Sequence, residues 1–136
     1  MIEGLSVRER DQLTETARAS AANAYAPYSK FRVGAAVLAE RGIYTGTNVE
    51  NASFGLSLCA ERSALAAAVA AGDRKIRAVA IACIDASRES PLGARMPCGA
   101  CRQWLAELAP DALIVIAGAS QEYSTAELLP NPFTLG

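Results

Sequence analysis

The stretch S57-L-C-A-E-R-S-A-L-A-A-A-V-A-A-G72 places a cysteine and a glutamate two residues apart at the start of an alanine-rich segment. The residues from 59 to 71 are mostly strong helix formers, and Gly72 stands where a left-handed cap ends a helix. We therefore predict a helix over 59–71 that is buried on most of its faces. Cys59 and Glu61 open its first turn.

Two short and almost continuously apolar runs follow this helix, at 76–85 and 112–119. Runs of this kind are typical of strands that are covered by helices on both faces of a sheet. Between them, a second helix is predicted to start at the C-x-x-C of Cys98 and Cys101. A shorter helix is predicted for T125-A-E-L-L-P.

The N-terminal region begins with a helix signal. Ser6 and Glu9 have the spacing of a capping box, and apolar residues recur at helical intervals after them. We predict a first helix over about 7–24, ended by Pro27.

A β-hairpin is predicted next. Two β-rich runs are separated by Arg41-Gly42, a turn in which the glycine would adopt a positive φ. Phe31 would begin the first strand and Asn48 would end the second.

This order of elements predicts an α/β protein, a three-layer α/β/α sandwich. Each crossover helix should return the next strand in the parallel direction. The chain is 51% hydrophobic and 20% charged, and no segment has the composition of an interdomain linker. We predict a single domain over residues 1–136.

The charge distribution argues against several classes of partner. The formal net charge is -1, with Lys and Arg spread along the chain, so no basic face for nucleic acid is expected. The N-terminus lacks an apolar signal region, and no run approaches the roughly 20 apolar residues of a membrane helix. We expect a soluble, cytoplasmic protein that binds a small neutral ligand and neither nucleic acid nor membrane.

Cysteine usage points to a metal. The four cysteines occur without an export signal, which disfavours a disulfide framework, and the chain has no histidine. Any zinc site must therefore use thiolates or carboxylates. Cys59 and the Cys98/Cys101 pair stand at the N-termini of two helices on one sheet, so three sulfurs can converge and leave the vacant fourth position of a catalytic zinc.

Two neighbours of these cysteines have predicted roles. Three thiolates leave a zinc site at a formal charge of -1, and a guanidinium can draw part of that charge away. Arg62 and Arg102 are both candidates, and we favour Arg62 because residues three apart share a helix face. Glu61, two residues past Cys59, is predicted to move protons for the activated water.

Other interpretations of the C-x-x-C remain open at this point. It could be a thioredoxin-like redox pair, or half of a closed Cys₄ zinc site that recruits Cys83 and serves binding alone. Cys83 itself, inside an apolar strand, is more simply a core thiol.

The combination C59-A-E61 and P97-C-G-A-C101 matches the signature of zinc deaminases. Four surrounding segments resemble the small homotetrameric cytidine deaminases of pyrimidine salvage. These segments are AYAPYSKFRVGAAV, NVENASFGLSLCAERSAL, MPCGACRQWL and ELLPNPF. The resemblance runs from about residue 24 to residue 133. It implies a mixed five-stranded sheet, one Zn²⁺ on Cys59, Cys98 and Cys101, and Glu61 as the catalytic residue.

The resemblance also implies the substrate contacts. Asn48 and Glu50 match the ribose contacts, Phe31 the aromatic that stacks on the pyrimidine, and Ala60 the backbone that contacts the base edge. Phe133 matches an aromatic that reaches the base from a neighbouring subunit. Without the resemblance, Asn48 and Glu50 would be interpreted as solvent-exposed residues at the end of a strand. The two phenylalanines would be interpreted as packing residues.

The implied reaction is hydrolytic deamination of cytidine and 2′-deoxycytidine to uridine and 2′-deoxyuridine with release of ammonia. An alternative is a deaminase of the same fold acting on another aminated base or nucleoside, such as blasticidin S, guanine or a base in RNA. The near-neutral charge argues against RNA, and N48-V-E-N51 argues for a free ribose. The loop over 85–97 has no assigned role.

Overall fold

Within the part of the chain that the structure describes, four α-helices and five strands form the fold. The computed structural model describes residues 4–136, and none of the helices in that range is long and apolar enough to span a membrane. The elements, in chain order, are α1 Val7–Ala21, β1 Val33–Ala39, β2 Ile43–Thr47, α2 Ala60–Ala70, β3 Ile76–Cys83, α3 Gly99–Leu108, β4 Leu113–Ile116, β5 Glu122–Ser124 and α4 Thr125–Leu128.

The strands form one mixed sheet in the order β2-β1-β3-β4-β5. β1 is antiparallel to both β2 and β3, β3 is parallel to β4, and β4 is antiparallel to β5. β2 and β3 therefore run in the same direction, as do β3 and β4, which confirms the parallel return predicted for both crossover helices. The five-stranded mixed sheet is confirmed as well, although the hydrophobic pattern did not mark the three-residue β5.

Helices cover both faces of the sheet, which confirms the three-layer architecture. On one face, α1 buries Leu13 and Ala17 against small residues of the central strands such as Ala36 and Ala80. On the other face, α2 and α3 pack against the alternate residues of the same strands, such as Val37. This division follows from the two-residue period of a strand.

The first helix begins as predicted but ends earlier. The Ser6 hydroxyl accepts a hydrogen bond from Glu9 N, and Glu9 Oε1 accepts one from Ser6 N, which completes the capping box. The helix ends at Ala21 rather than at 24, so the prediction that Pro27 ends it was wrong. The physical reason is that Tyr25 N donates to Asn48 O, which draws the chain away from the helical path.

The hairpin is present, with Leu38 opposite Ile43, and its strands are shorter than predicted at their outer ends. The prediction for its glycine was wrong, because Gly42 does not have a positive φ. The turn is held instead by a hydrogen bond from Arg41 N to the buried Asp73 carboxylate. The other predicted glycine is confirmed: Gly72 has φ of 79° and follows α2.

A glycine lets β2 lie against the first turns of α2. A Cβ at Gly46 would lie 2.3 Å from Ala64 N and 2.6 Å from Ala60 O, distances that no side chain tolerates. The strand and the start of the helix are thus in backbone contact. This contact fixes the end of α2 that carries Cys59 and Glu61.

Candidate active site and metal centre

Three cysteine sulfurs meet where α2 and α3 begin. Cys59 is the N-cap of α2, Cys98 is the N-cap of α3, and Cys101 lies in the first turn of α3. Their Sγ atoms all lie within 4.8 Å of one another, with Cys59 and Cys98 3.8 Å apart and Cys98 and Cys101 3.5 Å apart. A tetrahedral zinc with bonds of about 2.3 Å separates its sulfurs by roughly 3.8 Å. The donor set therefore fits Zn²⁺, and it offers three ligands.

Both N-cap cysteines leave their helix ends uncapped by a side chain. Neither the Cys59 nor the Cys98 side chain hydrogen-bonds to the backbone of its helix. The unpaired N–H groups and positive dipole end of each helix favour negative charge on a nearby sulfur. The local structure thus leaves both sulfurs free to contact a metal.

The charges around the sulfurs are unequal. Arg62 Nη2 donates to Cys59 Sγ at 3.3 Å. Hydrogen bonds from the Cys101 thiol and from Arg62 lower the pKa of Cys59 to about 5. The same contact with Cys59, together with burial, raises the pKa of Cys101.

The second candidate arginine has other partners. Arg102 Nε donates to Pro97 O at 2.8 Å, and Arg102 Nη1 donates to Leu128 O at 2.9 Å. Arg102 thus binds backbone carbonyls, whereas Arg62 contacts sulfur. The structure places the favoured arginine at the sulfur cluster.

Glu61 is a buried carboxyl group beside the metal ligands. It is 5% exposed and lies in the first turn of α2. Burial, reinforced by the charge of Cys59, raises its pKa to about 7. A carboxyl group with such a pKa accepts and returns a proton near neutral pH, which is what a general acid–base residue must do.

A cavity of about 470 Å³ opens in front of these groups. Its lining includes seven of the predicted site residues: Phe31, Asn48, Glu50, Cys59, Ala60, Glu61 and Cys98. Cys101 is fully buried behind Cys98. A volume of this size suits a small organic ligand. A larger cavity of about 550 Å³ lies on the outer face of α2 and α3, and none of the predicted site residues lines it.

Asn48 organises the mouth of the cavity. Its Nδ2 donates to Phe31 O and its Oδ1 accepts from Val33 N, both at 2.8 Å. The side chain is 9% exposed. Asn48 therefore holds the backbone on both sides of Arg32 and keeps one N–H for a ligand.

Glu50 is held by the loop before β1. Its Oε1 accepts from Tyr28 N and Ser29 N, each at 3.1 Å, and its Oε2 accepts from the Ser29 hydroxyl. The hydrogen bonds from Ser29 lower the pKa of Glu50, so it is a carboxylate. A carboxylate accepts about four hydrogen bonds, which leaves one position for a ligand hydroxyl.

Phe133 is the predicted substrate contact that this chain does not bring to its own cavity. Its side chain is 70% exposed, in the C-terminal segment that follows α4. Its backbone is hydrogen-bonded to the side chain of Gln103 on α3. The ring thus faces outward from the chain.

Cys83 lies outside the three-sulfur group. It borders the cavity at the end of β3, and burial raises the pKa of its thiol to about 12. A protonated thiol is a poor metal ligand. The geometry therefore favours an open three-sulfur site over a closed Cys₄ site.

Sequence reasoning missed several residues that line the cavity. The Ser29 hydroxyl donates to Glu50. The sequence could have indicated this residue, because it lies two residues before Phe31 in the segment AYAPYSKFRVGAAV. Arg95 and Met96 come from the end of the loop that had no assigned role. Their polar, irregular surroundings in the sequence carried no signal for a cavity wall.

Known proteins are similar to this chain in sequence and in fold. The family model described as cytidine and deoxycytidylate deaminase zinc-binding region matches residues 7–117. Cytidine deaminase of Halalkalibacterium halodurans is 44% identical over 131 residues, which cover 93% of this chain and 95% of that protein. Cytidine deaminase of Mycobacterium tuberculosis is 42% identical over 126 residues, covering 92% and 90% of the two chains.

Solved structures of cytidine deaminases have a fold similar to that of this chain. The crystal structure of cytidine deaminase from Burkholderia pseudomallei has a TM-score of 0.80 at 40% identity, covering 95% of this chain and all of that one. The structure of the Mycobacterium leprae enzyme has a TM-score of 0.74 at 43% identity, covering 89% and 97% of the two chains. With its Cys59, Cys98 and Cys101 group in place, the chain belongs to the cytidine and deoxycytidylate deaminase family.

Proposed function

We propose that this chain catalyses the zinc-dependent hydrolytic deamination of cytidine and 2′-deoxycytidine to uridine and 2′-deoxyuridine, with release of ammonia. One observation carries the proposal: a buried carboxyl group, Glu61, opens into the same cavity as a three-sulfur metal site. The relatives at 42–44% identity are themselves named cytidine deaminases, which supports the choice of substrate.

Cys59, Cys98 and Cys101 would hold one Zn²⁺ per chain. When bound, zinc supplies Lewis-acid chemistry that makes a water molecule nucleophilic near neutral pH. Arg62 offsets the negative charge that three thiolates bring to the site, through its hydrogen bond to Cys59.

Glu61 carries the protons of the reaction. Its carboxylate takes a proton from the attacking water and delivers it to N3 of the pyrimidine, and the new C–O bond forms at C4. Glu61 then transfers the second proton of that water to the 4-amino group. The C4–N bond breaks, ammonia leaves, and C4 keeps oxygen as a carbonyl. A pKa near 7 suits both directions of this transfer.

The remaining cavity residues bind and orient the nucleoside. Phe31 would stack on the pyrimidine ring, and the backbone at Ala60, the first residue of α2, would contact the base edge. Asn48 has one N–H and Glu50 one acceptor position left for the ribose hydroxyls. A glutamate carboxylate in this position favours a free sugar over a phosphorylated one, because it would repel a phosphate.

The active enzyme is inferred to be a homotetramer whose active sites are shared between subunits. Two observations support assembly. The apolar cavity on α2 and α3 is bordered by Val69, Trp104 and Leu108, and Phe54 and Leu56 are highly exposed in the segment between β2 and α2. Phe133, which faces away from its own cavity, would reach the base in a neighbouring site.

The single-domain organisation over residues 1–136 and the cytoplasmic location stay predictions.

The decisive experiment follows ultraviolet absorbance when purified protein is mixed with cytidine and, separately, with 2′-deoxycytidine. Released ammonia is quantified in parallel, and a sample stripped with a chelator serves as the control. Rapid conversion that is lost on chelation and restored by Zn²⁺ is the expected result. No conversion by folded, zinc-loaded protein would refute the proposal and favour another aminated heterocycle as the substrate.

A further inference from the structure

The C-terminal segment is fastened to the helix that carries two of the metal ligands. In the turn of α4, the Thr125 hydroxyl donates to Ala109 O at 2.9 Å in a buried contact just after α3. Arg102 Nη1 donates to Leu128 O at 2.9 Å, at the end of α4. Residues 129–136 then continue without regular secondary structure. The path of this segment therefore depends on side chains of α3.

Gln103 makes the last of these contacts, and it is a two-point contact. Its Nε2 donates to Phe133 O at 2.9 Å, and its Oε1 accepts from Phe133 N at 3.2 Å. The carboxamide thus pairs with both backbone groups of one residue, as an adjacent strand would. Pro130 and Pro132 lie shortly before Phe133 in the sequence, and neither has a backbone N–H to donate. Phe133 N is therefore the donor available at this point.

The two bonds fix the backbone of Phe133 but leave its ring free. The side chain is 70% exposed, so the contact does not serve to bury the aromatic ring in its own chain. A large apolar side chain on a fixed backbone is pre-organised for a partner, because less conformational freedom is lost when it binds.

We propose that Gln103 is a positioning residue for the substrate site: its carboxamide fixes the backbone of Phe133 so that the ring is held ready for the neighbouring subunit's cavity. This role rests on the proposed function and on the proposed sharing of sites. Gln103 does not line the cavity in front of the metal ligands. It borders the apolar cavity on α2 and α3, but its proposed action on the substrate site is through Phe133, and its loss would weaken nucleoside binding without altering the protons that Glu61 moves.

The side chain required at position 103 is narrowly defined by this geometry. Gln103→Leu removes both hydrogen bonds at similar volume. Gln103→Glu keeps the acceptor for Phe133 N but turns a carboxylate oxygen toward Phe133 O, which repels it. Only a primary amide of this length donates and accepts at once.

The test measures KM and kcat for cytidine in Gln103→Leu, Gln103→Glu, Phe133→Ala and the double variant Gln103→Leu/Phe133→Ala. Gln12→Leu, the same change at an exposed position of α1, is the matched control. We expect both Gln103 variants to raise KM roughly 5- to 30-fold, with kcat nearly unchanged. A change of this size corresponds to the loss of two ordinary hydrogen bonds. In the Phe133→Ala background, Gln103→Leu should add nothing.

Two further measurements separate positioning from damage to the fold. Hydrogen exchange of the C-terminal peptide should show faster exchange at the Phe133 amide in Gln103→Leu. Zinc content and sedimentation should match those of the wild type. An unchanged KM in Gln103→Leu, or an effect that persists fully in the Phe133→Ala background, would overturn the positioning role alone. Absence of turnover by the wild-type protein would overturn the proposed function and this role with it.

Discussion

The Nη2 atom of Arg62 lies 3.3 Å from the Sγ atom of Cys59, three residues earlier in the chain, so a positive charge is in direct contact with a predicted zinc ligand. The contact links the sequence spacing to the chemistry of the site. A thiolate that shares its charge with a guanidinium gives up less electron density to the metal, which keeps the metal a stronger Lewis acid.

Arg62→Gln should therefore lower zinc affinity or turnover by about 10- to 100-fold, the usual effect of removing a group that supports a metal ligand. Zinc per chain after challenge with a colorimetric chelator, together with kcat, measures the effect. Arg102→Gln is the matched control, because Arg102 binds the carbonyls of Pro97 and Leu128 and should affect thermal stability more than the metal. Equal zinc retention and turnover in Arg62→Gln and wild type would contradict this role.

Glu61→Gln should retain zinc and lose turnover by about 10²- to 10⁴-fold, because the proton carrier is removed while all three sulfurs stay in place. Absorbance assays with cytidine measure turnover, and elemental analysis measures zinc. Turnover close to that of the wild type would exclude Glu61 as the proton carrier.

Cys83→Ser should keep one zinc per chain and most of the activity. Cys83 lies outside the three-sulfur group, and its raised pKa keeps it protonated. Cys98→Ser, at a position inside the group, is the comparison and should lose zinc. Loss of zinc from Cys83→Ser would instead indicate a closed four-cysteine site.

Gly46→Ala should destabilise the protein by about 1–3 kcal/mol or more, because the added Cβ would collide with the backbone of Ala60 and Ala64. Thermal unfolding measures the loss. Gly93→Ala is the control, since a Cβ there meets no atom within 4 Å. If both variants melted at the same temperature, the close contact of β2 with α2 would not be a requirement of the fold.

Asp85 should contribute stability that disappears in acid. Its carboxylate accepts two hydrogen bonds from the Arg32 side chain, at 2.8 and 2.9 Å, and one from Arg32 N. Hydrogen bonding to Arg32 lowers the pKa of Asp85 from 3.8 to about 2. Because the folded state holds the proton more weakly than the unfolded state, the stabilisation is complete above about pH 4 and is lost as the pH falls toward 2.

Denaturant unfolding of wild type and Asp85→Asn between pH 6 and pH 2 tests this sign. The variant should be less stable at pH 6, and most of the difference should be lost by pH 2. Asp111→Asn, in the loop before β4, controls for a change of charge alone. A difference that stayed constant over this pH range would show that the Arg32 pairing does not depend on the charge of Asp85.

The parts of the site that could be predicted from the sequence are those fixed by local rules. Helix-forming composition placed Cys59 and Cys98 at helix starts, and the i, i+3 relation placed Arg62 at a sulfur. The rest depends on contacts between residues far apart in the chain. The end of α1 was set by Tyr25 bonding to Asn48, and the turn at Gly42 by Asp73, which lies 32 residues from Arg41.

The same limit explains the role of Gln103, which no periodicity marks. Its partner, Phe133, is 30 residues away, and the pairing uses backbone atoms that any residue could supply. The short strand β5 was not predicted for a related reason. Its three residues, Glu122–Ser124, are too few to show an alternation of apolar and polar side chains.

The uncapped helix ends have a consequence for how this protein evolves. Serine or aspartate at an N-cap usually adds about 1 kcal/mol of stability over a residue that does not cap, and the Cys59 and Cys98 side chains make no such bond. Selection for a sturdier metal-free chain would replace both cysteines by the very residues that abolish the sulfur cluster. At these two positions, helix capping and metal binding therefore make opposite demands on the side chain.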